Sequence, residues 1–116
     1  MQRQFRLTRS TDFKRVRRDG RSYAHPLIVL IALASEKHKL RIGVTAGRSV
    51  GNAVKRNRAK RLIRAAAQTL IPEFAFGHDL VLIARSPIAN VKMSEVRTAL
   101  RTLLKRAQLL DLLHDA

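Results

Sequence analysis

A chain of 116 residues and 13.1 kDa is the size of one domain, large enough to bury roughly two-thirds of the surface its unfolded form exposes; at 46% hydrophobic residues it is no disordered tail. Without cysteine it has no disulfide or thiolate chemistry, and no apolar run nears the roughly 20 residues that span a bilayer. Lys and Arg number 24 against 8 acids, a net charge of +16, and such self-repulsion calls for a polyanion: nucleic acid rather than a membrane surface, which would want Trp or more than four Phe on a basic helix.

In chain order, MQRQFRLTRS lacks the apolar stretch of a secretory signal, so the cytoplasm is the expected location. Ser10 is a candidate cap for a first helix running through Phe13 and Val16, with Gly20 as its stop in the left-handed conformation. Tyr23 and its neighbours extend a strand or form one. Leu27 to Leu33 reads as a buried strand, and the polar stretch Ser35 to Lys39 as a turn into a second strand, Leu40 to Ala46, so that the two form a hairpin. From about Asn52 to Leu70 the period becomes helical. Ala59, Leu62, Ile63, Ala66 and Leu70 fall in one arc, with Arg56, Asn57, Lys60, Arg61 and Arg64 opposite, and Pro72 ends the helix. Asp79 to Ala84 is a further buried strand. A last helix starts with Ser94 as cap and Glu95 in its first turn. The order of helix, strands, helix, strand, helix gives an α+β or mixed α/β fold, one continuous domain over 1–116, with 106–116 a candidate frayed tail.

The chemistry-bearing residues are sparse. His25, His38, His78 and His114 have no metal-ligand spacing, the carboxylates form no cluster, and Gly43, Gly47 and Gly51 lack the Lys-Ser/Thr of a phosphate loop. No catalytic residue, metal ligand or protein-bound cofactor is expected. The basic helix is different. From Lys37 to Pro72 there are ten basic residues and no acid, so Arg56, Lys60 and Arg64, four apart, repel one another by a few tenths of a kcal/mol per pair unless something anionic intervenes. Arginine forks two donors onto a phosphate and Asn57 can donate to phosphate or a base edge, which suits an RNA or DNA backbone.

The stretch Val50 to Arg64, VGNAVKRNRAKRLIR, resembles the signature of the bacterial ribonuclease P protein component, with its Arg-Asn-Arg followed by Lys-Arg-x-x-Arg. The resemblance extends to Asp12-Phe13-Lys14-Arg15-Val16 in the opening helix, Leu40 to Val44 before the motif, and Asp79 to Pro87 after it. It implies a small α/β sandwich ordered helix, three strands, helix, strand, helix, with a left-handed crossover at the motif helix against the general right-handed preference. It also implies a subunit that binds the catalytic ribonuclease P RNA and holds the 5′ leader of precursor tRNA in a cleft, the catalytic groups and Mg²⁺ belonging to the RNA.

Carried over by residue, the RNA-binding set is Arg48, Lys55, Arg56, Asn57, Arg58, Lys60, Arg61 and Arg64. The family commonly has Lys where Arg48 stands and a second basic residue where Ser49 stands. The leader cleft takes Phe13, with Arg17 and Ile31 where the family has an aromatic and a tyrosine, so stacking is reduced and charge carries more of the binding. Phe13 also reads as an anchor of the first helix in the core. The alternative function is a small ribosomal protein that binds RNA with no reaction attached, although it has no reason to carry the ordered motif. A DNA partner is not expected, because no DNA-reading module is recognisable.

Overall fold

The computed structural model describes residues 1–37 and 39–110. Its elements run α1 (Ser10–Asp19), β1 (Arg21–Ala24), β2 (Ile28–Ala34), β3 (Leu40–Ala46), α2 (Ala53–Leu70), β4 (His78–Ala84) and α3 (Met93–Arg106), joined by short 3₁₀ turns. This is the α+β order expected. The four strands form one sheet in the order β1-β2-β4-β3; β4 is antiparallel to β2 and parallel to β3, and α2 makes the crossover between the parallel pair.

The expected hairpin between β2 and β3 does not form, because β4 lies between them. Leu80, Val81 and Leu82 are fully buried, so β4 is apolar on both faces and belongs in the sheet interior with a neighbour along each edge. The turn after β2 spans this inserted strand: Ser35 donates its N–H to the Gly77 carbonyl, and Gly77 and His78 donate to Lys39. Short β1 forms one edge. The other is covered near Ile42, whose carbonyl accepts from the N–H of Leu7.

Alternation along the strands sends side chains to two faces. Ile28, Leu30, Leu40, Ile42, Val44, Leu80 and Leu82 face the main core, closed by Ala59, Ile63, Ala66 and Leu70 of α2 and Val96, Leu100, Leu103 and Leu104 of α3. On the other face, Ile31 and Val81 pack with Leu7 of the N-terminal segment and Val16 of α1, and Val29, Leu33 and Ile83 lie half-buried around them. The single ten-residue helix leaves that face partly open.

The helix starts differ from the sequence expectation by one or two residues. Arg9 holds the N-cap position of α1 without a side-chain bond, and Ser10 is already helical. Lys92 holds that of α3, where the Glu95 carboxylate accepts its N–H at 3.0 Å, and Ser94 lies inside the helix. Gly20 does end α1, but in an extended conformation at φ −82°; what demands glycine is space, since a β carbon would stand 2.6 Å from the Val16 carbonyl oxygen. Of the expected frayed tail, Leu109 and Leu110 are buried against the core and 111–116 lie outside the described residues.

Candidate nucleic-acid interface

The basic motif begins where β3 ends. The chain leaves Ala46 through a 3₁₀ turn carrying exposed Arg48 and reaches Gly51 at φ +133°, a conformation that strains any side chain. The Asn52 side chain then accepts the Lys55 N–H at 3.0 Å and caps α2, so this one residue sets where the helix starts and how its cations are phased.

Along α2 the cations form two rows. Arg56, Lys60 and Arg64 run half-buried along the flank, four residues apart, and Asn57 and Arg61 stand exposed beside them. Arg56, Lys60 and Arg64 therefore flank the buried stripe, while Asn57 and Arg61 lie opposite it as expected, and Leu62, expected in the apolar arc, is only half-buried. Two arginines are also struts: Arg56 Nη1 donates to the Gly51 carbonyl at 3.0 Å, and Arg58 Nη1 donates to the Ala89 carbonyl, tying α2 to the turn after β4. Among the described residues no salt bridge includes a cation of α2, so the charge of the face is uncompensated from within.

Arg64 joins this row to a second feature. A cleft of about 260 Å³ opens between the N-terminal segment, α1, β3 and α2, lined by Arg6, Leu7, Thr8, Phe13, Val44 and Arg64 among others. Partial burial and the nearby positive charge of Arg6 hold the Arg64 guanidinium below its usual pKa, as expected of two cations brought together without an acid. Phe13 is half-buried with its ring over Gly43, where a β carbon would come within 2.5 Å of the ring. Phe13 is thus both packed and cleft-lining. Arg17, one turn later, is exposed, while Ile31 is 8% exposed beneath α1 and does not line this cleft.

The sequence reading missed Asp79, which is 1% exposed in β4. Its carboxylate accepts from Arg15 Nη2 at 2.6 Å and from Arg41 Nε and Nη2 at 3.1 and 2.9 Å, and Asp12 lies 3.4 Å from Arg15 and 3.7 Å from Arg41. Burial pushes the Asp79 carboxyl up, but the hydrogen bonds from Arg41 and Arg15 outweigh it and hold the group below the usual carboxylate range. Asp12 and Asp79 thus share the same two guanidiniums, which occupy the positions a cation would need. Among the described residues no three His, Cys, Asp or Glu side chains gather as a metal site.

The family model described as Ribonuclease P matches residues 1–108. The chain belongs to the ribonuclease P protein family. The ribonuclease P protein component of Chloroflexus aurantiacus is 36% identical over 111 residues, covering 95% of this chain and 82% of that protein; the one from an Exiguobacterium species is 38% identical, covering 93% and 94%. Among solved structures, the Staphylococcus aureus RNase P protein superposes with a TM-score of 0.81 at 28% identity, covering 92% of this chain and 98% of that one. The Thermotoga maritima protein gives 0.78 at 28% identity, over 87% and 96%. These matches support the ribonuclease P reading of the motif and give no support to a ribosomal protein.

Proposed function

We propose that this chain binds ribonuclease P RNA through the face of α2 and holds the 5′ leader of precursor tRNA in the cleft between α1, β3 and α2, assisting removal of the leader in the cytoplasm. The reaction itself is assigned to the RNA and its Mg²⁺ ions, and the protein contributes position and charge. Arg48, Lys55, Arg56, Asn57, Arg58, Lys60, Arg61 and Arg64 supply the RNA surface, with Arg56 and Arg58 also holding its shape. Phe13 offers the leader a ring face, and Arg17 adds charge at the exposed end of α1. Ile31 acts from below, supporting α1.

The observation that carries this reading is that Arg64 of the motif and Phe13 of α1 line one cleft. A strand held there by stacking is held beside a row of phosphate-binding cations. The same field reduces the Mg²⁺ that the RNA must recruit to bring leader and active site together.

The test is reconstitution with a bacterial ribonuclease P RNA and precursor tRNA at low Mg²⁺. The protein should restore formation of the mature 5′ end and should raise affinity for precursor more than for mature tRNA. Stimulation independent of the leader would remove the cleft from the account, and no stimulation would remove the subunit role.

A further inference from the structure

We propose that Asp79 is a positioning residue for the leader cleft: through Arg15 and Arg41 it fixes α1 against β3 and thereby sets the place of the Phe13 ring. This rests on the leader-cleft reading above and says what keeps that cleft in shape.

The geometry is that of a three-element clamp. Asp79 belongs to β4 and Arg41 to β3, where they are register partners; Arg15 comes down from α1. The carboxylate takes three N–H groups at 2.6–3.1 Å and is itself out of water, so it has few alternative arrangements. Asp12, on the same face of α1 as Arg15, closes the ring of charges by approaching both arginines. The apolar hold on α1 is narrow: Val16 is its one buried residue, and the other contact is the half-buried Phe13 ring itself. A short helix with one buried anchor can pivot about it. The clamp adds a second, directional attachment, and Gly43, two residues along β3 from Arg41, receives the Phe13 ring. Loss of the clamp should therefore loosen the ring while leaving α2 and its cations where they are.

The variants are Arg15→Met, which removes the α1 arm and leaves Asp79 paired with Arg41, and Asp79→Asn. Arg18→Met is the control for one lost charge on the same helix, since among the described residues Arg18 pairs only with exposed Asp19. Phe13→Ala marks the cleft itself. Affinity of the reconstituted holoenzyme is measured for precursor and for mature tRNA, together with affinity of each protein for the RNA subunit, with circular dichroism to confirm folding.

Arg15→Met is expected to reduce the preference for precursor about fivefold, a partial loss of stacking on the ring, with affinity for the RNA subunit within about twofold of the parent. Asp79→Asn should do the same, Arg18→Met should not, and Arg15→Met should cost little more in a Phe13→Ala background because both act on one ring. A lower melting temperature with the preference intact in both folded clamp variants would make Asp79 a stabilising residue only and overturn the proposal. If Phe13→Ala itself left the preference unchanged, the cleft reading would fall and the clamp's role with it; a loss in Phe13→Ala alone would overturn the clamp and spare the cleft.

Discussion

Two residues on the α1 side of the sheet decide its geometry, and neither announces itself in the sequence. At Gly43 a β carbon would stand 2.5 Å from the Phe13 ring, so Gly43→Ala should displace the ring or the helix and cost about 1–3 kcal/mol, the usual range for overpacking, read as a fall in melting temperature. Asp79 has its pKa lowered in the folded state, so the stability it contributes is present above the unfolded value near ~3.9 and is lost as pH falls through the folded value. Asp79→Asn should therefore be less stable than the parent at neutral pH, on the order of 2 kcal/mol since both guanidiniums keep about a third of their surface in water, and the two melting curves should converge in acid. Parallel curves at every pH would mean the charge is not what Asp79 supplies. From the sequence Asp79 is only a polar residue before an apolar run. Its partners are 38 and 64 residues away, a separation no local pattern encodes. Arg64 was legible as one of a row of cations from its four-residue spacing, but its place in the cleft beside Phe13 depends on how α1 and α2 sit about β3.

At the scale of elements, α2 was the most legible because its apolar stripe and its cations are local, while its Asn52 cap shows only in the structure. Asn52→Ala removes the acceptor for the Lys55 N–H and should cost about 1 kcal/mol, with weaker RNA binding as the first turn of the motif frays; thermal melts followed by circular dichroism would show it. Salt dependence separates this face from charge in general. Arg64→Ala should flatten the slope of log affinity for the RNA subunit against log salt by about one unit, whereas Arg101→Ala, which removes a guanidinium already 3.1 Å from Glu73, should leave it nearly unchanged. Equal effects would mean that diffuse charge holds the RNA. The strands were individually legible and their pairing was not. Apolar runs show where strands are, but the insertion of β4 between β2 and β3 is a matter of which buried strand needs two neighbours, and that is decided by the whole sheet.

For the whole molecule, the seven salt bridges among the described residues use five arginines and no lysine, and ion pairing within the chain leaves the net charge of +16 to repel itself. Bound polyanions should stabilise the fold by mass action. The melting temperature should be higher in sulfate or phosphate than in chloride at matched ionic strength, and an identical value in all three would exclude site-bound anions from the account. The fold class and the family were legible because net charge and the motif survive without any knowledge of packing.

The position of β4 also bears on how the chain comes off the ribosome. Synthesis delivers β1, β2, β3 and the whole of α2 before the strand that joins them, so β1 and β2 can pair while β3 has no partner in the sheet. Until His78 to Ala84 and then α3 emerge, α2 is a cationic segment whose apolar stripe lacks the strand and helix that cover it, already able to meet nucleic acid before it has a core to rest on. Closure of the sheet and completion of the cleft are then one late event, set by the arrival of a single seven-residue strand.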